Sequence, residues 1–163
     1  MQASPQSIEP SGTFEGLKPG AILFGAVVDN LATFLVSIPL TLMYLPKEIF
    51  SQNDEKAIEA AIHTLSSDTG YLLWALGLGF GCTVLGAFVG ARRAGQLHLR
   101  HGGWISVTSA AIGLALMIVA GMEPGPERPL WHEVISWVLL IPAGLLGGEI
   151  SRRFQASPAS TNL

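Results

Sequence analysis

Asp29 is the residue of this chain best placed to do chemistry. It stands about ten residues into the long apolar run GAILFGAVVDNLATFLVSIPLTLMYL at 20–45. At the usual helical rise that is roughly 13–15 Å from the start of the run. A carboxyl group at such a depth is costly, and it is expected to face a bundle interior, a cavity or a partner. Gly25, Asp29, Thr33, Ser37 and Thr41 recur at intervals of four. This gives a small or polar stripe that drifts by about 40° per step around a helix. The stripe suits two kinds of chemistry. It could line a path that handles protons or a substrate, or it could pack against a neighbour with each hydroxyl bonded to its own backbone. Asn30 points about 100° away from Asp29. Pro39 is expected to bend the helix near the outer half of the stripe.

The remaining polar groups collect at the ends of apolar runs. Arg92 and Arg93 follow one run, and Arg152 and Arg153 follow another. All four are candidates for contact with anionic lipid headgroups. Glu149 lies four residues before Arg153 and is spaced to pair with it. His98 and His101 flank Arg100 and could add pH dependence, but two histidines without a third ligand make no metal site. His63 is isolated, and the single cysteine, Cys82, excludes an intrachain disulfide. No HExxH, GxxxxGK[ST] or GxSxG pattern occurs, and the glycines of GLGFGCTVLG lack a preceding strand. No catalytic residue, cofactor or metal is therefore assigned, and the chain reads as a non-enzyme.

The elements that must position these groups follow from composition. Of 163 residues only 13% are charged, against roughly 25% in a soluble domain. That leaves too little charge to cover a soluble surface, and the net charge of −3 gives no sign of a nucleic-acid partner. Four apolar runs, 20–45, 70–91, 103–122 and 131–150, each hold about the 20 residues that cross a bilayer as a helix. Continuous runs of this length exclude the alternating strands of a barrel. The fold class is an all-α membrane protein, four transmembrane helices in an antiparallel bundle.

Residues 1–19 and 151–163 are its tails, and 20–150 its membrane domain. Residues 1–18 lack the basic start and short apolar core of a leader, so the first run reads as a retained span. The connection between runs one and two carries −3, and that between three and four carries −2. Placing both termini inside puts six basic residues inside and three outside, the favoured asymmetry. SQNDEKAIEAAIHTLSSDTG adds a short external amphipathic helix, with Ser51 or Asn53 as its cap and Glu59 and His63 on its polar side. Pro129 is placed to open the last helix, and Trp74, Trp104 and Trp131 to anchor at interfaces.

Glycine accounts for 19 residues. Gly77 and Gly81 form one pair at an interval of four, Gly86 and Gly90 a second, and Gly144 and Gly148 a third. Such ladders let helix backbones approach closely, so spans two and four are expected to make the tightest contacts. With its small-residue spans and its ARRAG and HGG turns, the chain resembles small bacterial four-span inner-membrane proteins with no assigned activity. That resemblance implies a multi-pass protein of the inner membrane. The four spans and the acidic residue in the first also resemble small multidrug-resistance transporters, whose membrane glutamate would correspond to Asp29. The reading that follows is a structural, assembly-related or lipid-associated membrane protein. Its partners are membrane lipids and a second copy or another membrane protein. The alternative is a proton-coupled transporter or channel using Asp29, Thr33, Ser37 and Thr41.

Overall fold

A computed structural model describes residues 14–47, 49, 55–119 and 128–156. The expected caps Ser51 and Asn53 and most of the EPGPERP turn lie outside them, as do residues 1–13 and 157–163. Among the described residues five helices follow in order: α1 Pro19–Tyr44, α2 Glu55–Leu65, α3 Thr69–Ala94, α4 His98–Val119 and α5 Leu130–Ala156. Among the described residues there is no strand.

Local chemistry explains where these helices start and stop. Pro19 opens α1, where its missing N–H removes no helical bond. Asp68 caps α3 by accepting the Tyr71 backbone N–H at 2.7 Å. Gly95 ends α3 with φ 74° and returns its N–H to the Ala91 carbonyl. That left-handed conformation is open to glycine without a Cβ penalty. The helices outrun the apolar segments. ARRAGQLHLRHGG, expected as a long connection, supplies the last turn of α3, a turn at 95–97 and the first turn of α4. The last helix likewise continues through Arg152 and Arg153 rather than ending at 150. Nothing at these positions stops a helix except Gly95, so helical hydrogen bonding carries on beyond the apolar stretch.

Every pair among α1, α3, α4 and α5 packs closely except α1 with α5, which lie across the bundle from one another. The centre is small: Ala26, Ala87 and Ile105 are fully buried, with Ile22 and Ile112 against them. Large apolar side chains face outward instead, among them Leu31, Phe34 and Leu35 of α1, Trp74 of α3 and Trp137 of α5. In water this arrangement would expose far more apolar surface than a soluble chain tolerates. In lipid it is the expected one, because close packing of small residues drives helix association there. Among the described residues, three helices, α1, α3 and α5, are long and apolar enough to cross a membrane. The sequence suggested four. α4 opens with His98, Arg100 and His101, and whether it is a fourth span is taken up under the proposed function.

Candidate functional site

Asp29 lies on the face of α1 that packs against α3 and is 3% exposed. Its Oδ1 accepts hydrogen bonds from the hydroxyls of Thr33, on its own helix, and Thr83, on α3. The close approach is possible because Gly86 has no side chain. A Cβ there would lie 2.6 Å from Asp29 Cβ and 2.7 Å from the Gly25 carbonyl oxygen. Asn30, on the adjacent face, donates to Ser109 Oγ at 2.8 Å and ties α1 to α4. The two neighbours thus hold α1 against different helices. Thr83 and Ser109 were not singled out as partners in the sequence, where they are two of many hydroxyls in apolar runs.

Beyond Asp29, toward the end of the bundle where α1 finishes, the helices border a half-open cavity of about 310 Å³. Thr33 and Ser37 line it from α1, Gly79, Cys82 and Thr83 from α3, and His132 and Ser136 from α5, with Arg128 just before that helix. No described residue of α4 lines it. The cavity lies where α1 and α5 stay apart, with α3 as the shared wall. Pro39 and Pro142 stand inside α1 and α5 beside it, and each removes one backbone hydrogen bond from its helix. Thr41 does not join the lining. Its hydroxyl pairs with the Tyr71 hydroxyl at 3.2 Å and closes α1 against α3.

The glycines divide differently from the expected pattern. Gly86 and Gly90 face α1, where they meet Gly25 and Ala21. Gly144 and Gly148 face α4, at Gly102 and at His98 and Leu99. The contact between spans two and four falls to Gly147, whose Cβ would lie 2.7 Å from Ala87 Cβ and 2.8 Å from the Phe88 nitrogen. Gly77 and Gly81 have no neighbour within 4 Å of the position a Cβ would take. They are exposed and face away from the described helices. The reason is geometric: an interval of four marks a face, but only the fold says which helix lies against it.

The other end of the bundle is closed and basic. Lys18 Nζ donates to the Ala94 carbonyl at 2.8 Å, and Gln96 donates to the Gly16 carbonyl at 3.0 Å. Residues 14–18 are therefore a strap across the α3–α4 turn rather than part of a free tail. His101 is fully buried beneath it. Its Nε2 accepts the Lys18 backbone N–H at 3.0 Å, while Nδ1 lies 3.1 Å from the Leu97 carbonyl. A ring proton on Nδ1 satisfies both contacts, so His101 joins the strap to the start of α4. Glu149 pairs with both Arg152 and Arg153 at 2.8 Å. Arg93 lies over the Phe24 ring and Arg92 over the Phe88 ring. All four arginines remain exposed at one rim.

Among the described residues, no three metal-ligating side chains converge. Comparison with protein-family models, characterised proteins and solved structures finds no match to this chain.

Proposed function

We propose that this chain is a structural, lipid-associated protein of a bacterial inner membrane that works by packing rather than by catalysis. The observation that carries the reading is the inverted distribution of side chains: small residues meet at the helix contacts, and large apolar residues face outward. In this reading α4 is the fourth span. It runs beside α3 and α5, and a single short turn at 95–97 reverses the chain into it. Both termini lie on the cytoplasmic side with the arginine rim, where Arg92, Arg93, Arg152 and Arg153 face anionic headgroups. The outward face of Gly77 and Gly81 is where a second copy or another membrane protein would approach closely.

One observation favours a second reading, proton-coupled transport. Thr33 and Thr83 both line the cavity and both donate to Asp29, which links that carboxyl group to the cavity floor. Against it, glycine contacts close the bundle between Asp29 and the basic rim. Proton flux into vesicles of the purified chain, followed with an interior pH dye, separates the two. The expected leak is no greater than that of empty vesicles. A flux that disappears in Asp29→Asn would overturn the structural reading in favour of transport.

A further inference from the structure

We infer that the cavity between α1, α3 and α5 binds one chain of an anionic single-chain amphiphile, a long-chain carboxylate. Its headgroup lies against His132 and Arg128, and its hydrocarbon tail points toward Thr33 and Thr83. This deepens the lipid-associated reading above and rests on it, but it does not depend on whether α4 is a span.

Three observations lead to this ligand. The first is where the polar groups of the wall are already committed. The hydroxyls of Thr33 and Thr83 donate to Asp29, Ser37 donates to the Phe34 carbonyl, Ser136 donates to the His132 carbonyl, and Tyr71 pairs with Thr41. His132 is different. It is 6% exposed and lines the cavity, yet among the described residues its Nδ1 has no hydrogen-bond partner. That atom has almost no accessible surface, so a headgroup in the cavity reaches it by a turn of the imidazole ring, and the described residues supply it no other partner. The second is charge. Arg128 lies at the same end and supplies a cation for an acidic headgroup. Glu133, the next residue after His132, is exposed and is not in the lining.

The third is shape. The lining runs from His132 to Ala143 on α5 and from Tyr71 to Thr83 on α3, or about 17 Å at the helical rise. That is close to half of the roughly 30 Å hydrocarbon thickness, the depth one acyl chain covers. A volume of about 310 Å³ spread over that length is narrow enough for one chain and not two. Ligand pockets commonly begin near this volume, with mostly apolar walls and a few placed polar groups.

The test uses the full chain in nanodiscs of uncharged phospholipid, with empty discs as the blank and radiolabelled dodecanoate as the probe. Wild type should bind it saturably at one per chain, and dodecanol should bind at least tenfold more weakly. Gly79→Leu should weaken dodecanoate binding at least tenfold. Gly79 lines the cavity and a Cβ there meets nothing within 4 Å, so the new side chain enters the space without a backbone clash. Ala75→Leu narrows the same space from the preceding turn and stands in if Gly79→Leu does not fold. The Nδ1 resonance of nitrogen-15-labelled His132 should shift on adding dodecanoate in wild type and stay fixed in the filled variant.

Absence of saturable binding, or wild-type binding in both filled variants, overturns the site. A fixed His132 resonance assigns its Nδ1 to water alone and overturns the headgroup contact, as would equal binding of dodecanol. Failure of the underlying membrane reading looks different: the chain would then stay monodisperse in water without discs or detergent.

Discussion

Asp29 shows how one carboxyl group can be a packing device and still border a cavity. Two of its hydroxyl partners come from different helices, so the Thr83 bond holds α1 to α3 while the Thr33 bond stays local. Interhelical hydrogen bonds in membranes average about 0.6 kcal/mol and reach about 2 kcal/mol. Thr83→Val keeps the shape and removes the donor. Its expected cost is about 1 kcal/mol, measured by denaturant unfolding in mixed micelles. Asp29→Asn should cost less than Asp29→Leu, because its side-chain oxygen still accepts from both threonines. Equal stability in all three variants would show that the carboxyl group holds nothing together. The depth of Asp29 and its neighbours Thr33 and Ser37 could be read from the sequence, because helical spacing places them on one side. The functions of Thr83, His101 and His132 could not. Each depends on which atom of a distant segment lies within hydrogen-bond reach, as when the Lys18 backbone N–H meets His101.

At the scale of helices, glycine position rather than glycine content decides the packing. Gly86→Ala would force a Cβ against the backbone of α1 at Gly25 and the Cβ of Asp29. Neither neighbour is the movable end of a side chain, so the expected destabilisation is the overpacking range of about 1–3 kcal/mol. Gly81→Ala meets no described neighbour within 4 Å, and its expected change is a gain of about 0.5–1 kcal/mol from the stiffer helix backbone. Unfolding both variants in the same micelles checks the pair, and equal losses would contradict the arrangement. The comparison also marks what the sequence conveys about elements. Apolar length locates α1, α3 and α5, and the interval of four identifies smooth faces. It does not say that Gly86 serves α1, that Gly144 serves α4 or that Gly147 serves α3. Those assignments follow from the order of helices around the bundle, and that order leaves no periodic trace in a single chain. The cavity was unreadable for the same reason, since it exists only because α1 and α5 stay apart.

For the whole molecule, chain direction and charge have to agree. Lys18 at the start of α1 bonds to Ala94 at the end of α3, and Gln155 near the end of α5 bonds to Arg92. The start of α1 and the ends of α3 and α5 therefore share one face, the face that carries the arginines. If α3 and α5 both cross the membrane toward that face, something must carry the chain back between them, and α4 is the only described segment that can. Its polar first turn then lies at the basic rim, where His98, Arg100 and His101 need not enter hydrocarbon. In the orientation proposed above, retention of Lys and Arg places that rim in the cytoplasm. Single cysteines at exposed positions test both statements, in a Cys82→Ser background. Ser67→Cys and Arg128→Cys should react with a membrane-impermeant maleimide on intact cells, and Gln96→Cys only after permeabilisation. If α4 stayed on one side, Gln96→Cys and Arg128→Cys would label together. If the orientation were reversed, all three patterns would invert while Gln96→Cys and Arg128→Cys remained opposite, so crossing and orientation are read separately from the same cells.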